Sequence, residues 1–166
     1  MTALKLIALD EEDLAVLSAH LQDAVVKVSD LAYLSREKRF AALFNRFDWE
    51  AAAGAGGRRA SHQRVRAALR FERVLSARLQ QIDLATKTRV LSLLAVGFEP
   101  GVAPGGSVIM IFAGGGAIRL EVECIEAELR DLGGAWRAAG RPEHADNAPG
   151  FESGTEASGK DGPKSK

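Results

Sequence analysis

Residues 114–136 read GGGAIRLEVECIEAELRDLGGAW. A glycine turn leads into an alternation that sets Ile118, Leu120, Val122 and Cys124 on one face, and Ile125, Leu129 and Leu132 then recur at helical spacing before Gly133 and Gly134. Alternation with a period of two buries one face of a strand. A helical stripe packs its apolar side back on the same core. The stretch therefore predicts a strand followed by a short amphipathic C-terminal helix. It carries no catalytic or cofactor signature.

Upstream of this stretch, Ser107–Ala113 pairs with Ala117–Cys124 across Gly114, Gly115 and Gly116, a hairpin turn that calls for positive φ. Val90–Phe98 is a continuous apolar strand, followed by a Pro/Gly loop from Glu99 to Gly106, and Asp83–Thr86 make a turn. The longest strand signal runs through Val65, Ala67, Leu69 and Phe71 and continues in the same phase through Leu75, Ala77 and Leu79. Its length calls for a bend or bulge near Arg73. Residues 51–62, AAAGAGGRRASH, are small, basic and glycine-rich and read as a mobile loop.

Nearer the N-terminus, Phe40, Ala42, Phe44 and Arg46 alternate with Ala41, Leu43, Asn45 and Phe47. With Val26, Val28, Leu31 and Tyr33 before the turn at Ser35–Lys38, they form a hairpin. Asp10 stands as an N-cap ahead of the stripe Leu14, Leu17 and Leu21, and Leu4, Leu6 and Ala8 alternate as a first strand. These elements predict an α+β fold: an antiparallel β-sandwich or open barrel of about seven strands with an N-terminal and a C-terminal helix. The element order is similar to that of pleckstrin-homology-like domains, an analogy of architecture alone. Residues 1–139 form the single domain. Residues 140–166, rich in Gly and Pro with Phe151 as the one aromatic, read as a disordered C-terminal tail.

The chain has 22 basic and 22 acidic residues, but they are segregated. Residues 1–35 sum to −4 (two basic, six acidic), residues 36–89 to +8 (13 and five), residues 90–139 to −3 (three and six), and the tail to −1 (four and five). Such asymmetry either steers a partner or is neutralised between neighbouring segments on folding. Cys124, the single cysteine, is expected to be a small buried hydrophobe in a reducing compartment. With no signal-peptide pattern or long apolar span at the N-terminus, a cytoplasmic protein without membrane contact is expected.

The candidate site residues are arginines. Arg64, Arg66, Arg70 and Arg78 are expected on the face of the long strand opposite Val65, Leu69, Phe71 and Leu79, with Arg58 and Arg59 in the loop before it. Guanidinium groups in a row bind phosphates or carboxylates bidentately, or they neutralise acidic neighbours on adjacent strands. No aromatic side chain interleaves them for stacking on bases. Other chemistry finds less support. Gly54, Gly56 and Gly57 lack the Lys-Ser or Lys-Thr of a phosphate loop, and His20, His62 and His144 lack metal-ligand spacing. Glu121, Glu123, Glu126, Glu128 and Asp131 read as solvated strand and helix faces.

The runs VLSLLAVGFEP (Val90–Pro100), VIMIFAGGGAIRLEVECIEAELRDLGGAW (from Val108) and Arg141-Pro142-Glu143-His144 resemble an uncharacterised alphaproteobacterial family, domain of unknown function 2948, from about Leu4 to His144. That resemblance brings no activity, cofactor or site residue. The resulting expectation is a non-catalytic binding module without a cofactor, its partner another protein or a peptide. The alternative is nucleic-acid or anionic-ligand binding through the arginine face.

Overall fold

The computed structural model describes residues 3–48 and 64–133. The predicted loop at 51–62 and the predicted tail at 140–166 lie outside the described residues. In chain order the elements are β1 (Lys5–Ala8), α1 (Glu11–Leu21), β2 (Val25–Leu34), β3 (Arg39–Phe47), β4 (Arg64–Phe71), β5 (Val74–Gln80), β6 (Val90–Pro100), β7 (Gly106–Phe112), β8 (Ala117–Val122) and β9 (Ala127–Asp131). The nine strands form one antiparallel sheet in the order β1-β9-β4-β3-β2-β6-β7-β8-β5. The sheet is not closed, and β1 and β5 are its two ends.

Sheet and helix enclose one core. The first part of β6 (Val90–Ser92) pairs with β2, and its remainder (Leu93–Pro100) pairs with β7, so this strand joins the two halves of the sheet. Phe40, Phe44, Leu69 and Phe71 from one half meet Leu93, Met110, Phe112, Ile118 and Leu120 from the other in a single buried cluster. Helix α1 adds Leu14, Leu17 and Leu21 and packs against β6, β1 and β3. Its start follows from local chemistry. Asp10 Oδ1 accepts from Asp13 N at 2.8 Å while Asp13 Oδ2 accepts from Leu9 N at 3.0 Å, a reciprocal cap of donors that would otherwise be unsatisfied. Ser18 Oγ accepts from Val96 N (2.9 Å) and ties the helix to β6.

The α+β expectation of about seven strands and two helices is corrected to a mostly-β fold with nine strands and, among the described residues, one short helix. Two changes account for the strand count. The long predicted strand is two strands, because Arg73 takes a left-handed backbone (φ 58°) and the chain turns a corner from β4 into β5. The corner is expected near Arg73, and the phase reverses only locally: Val74 is buried and Leu75 is 52% exposed, after which Ala77 is buried and Leu79 packs against the core in the expected phase. Leu75 falls where the β5–β8 register shifts between Val74 and Ser76.

The second change is the predicted C-terminal helix, which is strand β9. Glu126, Ala127, Glu128, Leu129 and Arg130 are all good helix formers, but intrinsic propensity is a small term that tertiary context overrides, and β9 lies between β1 and β4 and forms ladders on both sides. Ile125, Ala127, Leu129 and Asp131 also alternate with a period of two, and the first three are buried. Tertiary pairing selects that period. Cys124 sits beyond the end of β8 and is half-buried, less enclosed than expected.

Leu129 is fully enclosed. Leu129→Ala is expected to destabilise the fold by about 2–5 kcal/mol, whereas Arg130→Ala next to it, on the outer face, should stay within about 0.5–1 kcal/mol. Urea unfolding of the two variants checks this, and equal losses would contradict the strand assignment.

Candidate functional site

The predicted arginine row is divided between the two halves of the sheet. Arg64, Arg66 and Arg70 lie on the outer face of β4, in register with Phe47, Asn45 and Ala41 of β3. Arg78 lies on β5, at the far end of the strand order. Arg58 and Arg59 fall outside the described residues.

Each arginine on β4 has a protein partner. The Arg64 guanidinium stacks over the Phe47 ring, 4.1 Å from its centroid. Arg66 Nη2 is 3.6 Å from Asp30 Oδ2, which comes from the stretch of β2 where its register with β3 shifts. Arg70 Nη2 donates to Glu128 Oε2 of β9 at 2.9 Å, and its Nε is 3.8 Å from Glu72. Arg39 joins the row through Glu72 (2.7 Å), and Arg130 joins it through Glu128 (3.0 Å). Glu128, predicted on a solvated helix face, thus joins Asp30 and Glu72 in offsetting the charges of Arg66 and Arg70 on β4. Pairs exposed to this degree contribute about 0–1 kcal/mol each. Their larger effect is to offset the charge of the row.

A second ionic cluster closes the β4–β5 corner. Lys38 Nζ donates to Glu123 Oε1 at 2.8 Å, and Arg73 lies 3.7 Å from Glu123 and 3.4 Å from Glu126. The backbone locks the same corner: Val74 N donates to Lys38 O (2.8 Å), Glu123 N to Arg73 O (2.9 Å) and Glu72 N to Glu126 O (2.8 Å). The hydrogen bond from Lys38 holds the Glu123 carboxyl below its ordinary value, and the charges of Lys38 and Arg73 act in the same direction.

One pair is inside the protein. Arg46, in the inward phase of β3, sends Nε to Asp131 Oδ1 (2.8 Å) and Nη2 to Asp131 Oδ2 (2.7 Å), with both side chains almost fully buried. Arg46 Nη1 donates to Phe47 O (2.9 Å), and Leu4 N donates to Asp131 Oδ2 (2.9 Å). A bidentate fork, with Nη1 also hydrogen-bonded, offsets the desolvation of both charges. The pairing escaped the sequence reading because Asp131 was assigned to a helix. An inward-facing Arg46 was itself the signal to look for an acidic residue in the same phase on another strand.

The outer face of the β6–β7–β8–β5 half is different. Arg119 of β8 donates Nη2 to Glu99 Oε2 (2.7 Å) and Nε to Glu121 Oε1 (3.1 Å), and these two bonds hold its guanidinium more firmly protonated than usual. Glu121 Oε1 also accepts from Ser107 Oγ at 2.8 Å. Arg78 stands in register with Arg119, and among the described residues its side chain has no ion pair or hydrogen bond. No three His, Cys, Asp or Glu side chains are grouped to hold a metal ion among the described residues, and no helix there is long and apolar enough to cross a membrane.

Two outcomes follow from the ion pairs. Asp131→Ala should cost about 3–5 kcal/mol by leaving a buried guanidinium uncompensated, and combining Arg46→Met with Asp131→Leu should recover most of the loss, as read by chemical denaturation. The depressed Glu123 carboxyl stabilises the fold above its unfolded value of about 4.5, and this contribution disappears as pH falls through the lower folded value. An NMR titration should show the Glu123 midpoint rising toward the ordinary value in Lys38→Met.

Comparison with curated proteins and with solved structures finds no match. The model of one protein family, described as "Protein of unknown function (DUF2948)", matches residues 4–144. The chain belongs to that family.

Proposed function

We propose that this protein is a non-catalytic binding module whose ligand is another protein or a peptide. The observation that carries the reading is the open end of the sheet. Among the described residues β5 has β8 on one side and no strand on the other, and such an edge offers main-chain donors and acceptors to an extended segment. The reading includes a cytoplasmic setting in an alphaproteobacterial cell, on the sequence grounds given above.

The alternative, polyanion binding by Arg64, Arg66, Arg70 and Arg78, has less support. Asp30, Glu72 and Glu128 offset the charges of Arg66 and Arg70, and Arg64 is held over Phe47. Phosphates would have to displace these partners.

Replacing Arg64, Arg66, Arg70 and Arg78 together with Gln distinguishes the two readings. The variant and the parent are expected to elute together from heparin and from an oligonucleotide column at moderate salt. Affinity purification from the host is expected to recover a protein partner that nuclease treatment does not release. Strong retention of the parent that is lost in the variant, with the salt dependence falling by about one unit of slope per phosphate contact, would establish the polyanion reading instead.

A further inference from the structure

We infer that the β5 edge selects an extended segment carrying an acidic residue, which pairs with the strand so that its carboxylate meets Arg78. The inference rests on the binding-module reading and specifies its ligand.

The backbone defines the length of the site. At its start, Val74 N donates to Lys38 O (2.8 Å) and Val74 O accepts from Tyr33 Oη (3.0 Å), so both polar groups of that residue are occupied within the chain. Just beyond its end, Gln81 O accepts from Arg89 Nη1 (3.0 Å). Between these ties, residues 76–80 pair with β8 on one side, Leu75 falls in the register shift, and the other side is open among the described residues. An extended segment added there continues the sheet with ordinary inter-strand hydrogen bonds.

Charge defines the sequence of the ligand. Arg78 and Arg119 are directly opposite in register, and like charges so placed repel. Arg119 is compensated by Glu99 and Glu121. Arg78 is exposed and uncompensated among the described residues, so a carboxylate on the incoming strand supplies the missing partner.

The same charge disfavours a second copy of this chain. Antiparallel self-pairing centred on Ala77 or Arg78 would set the two Arg78 side chains diagonal to or opposite one another, beside both Arg119 groups. An edge that repels itself and accepts an acidic strand combines protection from aggregation with selectivity. The exposed Leu75, at the register shift, limits pairing to one end of the strand.

The probe is a short synthetic peptide alternating Val and Thr with a central Glu, compared with a Lys-centred peptide and with a Glu-centred peptide N-methylated at alternate residues. Amide exchange by NMR on the full chain should slow at residues 75–80 when the Glu peptide is added. The Glu peptide should bind about fivefold more tightly than the Lys peptide, and the N-methylated peptide should not bind. Arg78→Glu should reverse the preference. Arg78→Gln, a milder change at an exposed position, should abolish the preference while leaving the melting temperature unchanged.

Equal affinity for the Glu and Lys peptides, no binding of either, or protection appearing on β1 or β4 and not on β5 would overturn the inference. So would a dimer that protects residues 75–80 before any peptide is added. If the peptides fail but a nuclease-resistant protein partner cross-links elsewhere on the surface, the edge inference falls and the binding-module reading stands. If recovery from the host depends on nucleic acid, the binding-module reading itself falls.

Discussion

The buried pair of Arg46 and Asp131 connects strands that are far apart in sequence. Its two charge-assisted hydrogen bonds lie where water is excluded, so neither partner tolerates the loss of the other. Asp131 also takes the amide of Leu4, and its own amide donates to Leu4 O at 2.9 Å, which fixes β1 on the outer side of β9. Arg46 caps the same arrangement by donating to Phe47 O. The pair thus requires residues 127–131 to be extended, because only a strand at that place presents Asp131 to the core while Leu129 and Ala127 fill it.

With β9 in place, the charged exterior follows. Glu128 lies opposite Arg70 in the β4–β9 register, and the acidic groups at 72, 123 and 126 gather at the corner that Arg73 turns. The basic middle segment and the acidic segment after it are therefore adjacent in space. Several of their charges cancel pair by pair, Arg70 with Glu128 and Arg73 with Glu123 and Glu126. This cancellation makes Arg78 distinctive: it lies beyond the corner, away from that row of carboxylates, on a strand with one open side.

Much of the β-architecture was legible locally. The cap at Asp10, the stripe Leu14, Leu17 and Leu21, the hairpin about Ser35–Lys38 and the glycine turn with positive φ at Gly114 and Gly115 are set by residues within a few positions of one another. The candidate site was less legible. The sequence placed Arg64, Arg66, Arg70 and Arg78 on one face of one strand, because unchanged alternation through Arg73 implied a continuous element. A single left-handed residue separated Arg78 from the other three.

Short-range chemistry in the sequence determined where strands and the helix begin, which of their faces turn inward, and where the chain bends. Tertiary structure decided whether residues 125–132 are helix or strand, which arginines find carboxylates, and which strand is left at the edge. The physical reason is range. Capping, turn geometry and side-chain alternation act over a few residues, whereas the ladders of β9 with β1 and β4, and the bond between Arg46 and Asp131, depend on partners brought together only when the chain folds. At residues 127–131 the local helix propensity is outweighed, because pairing on both sides of the strand and burial of Leu129 act together.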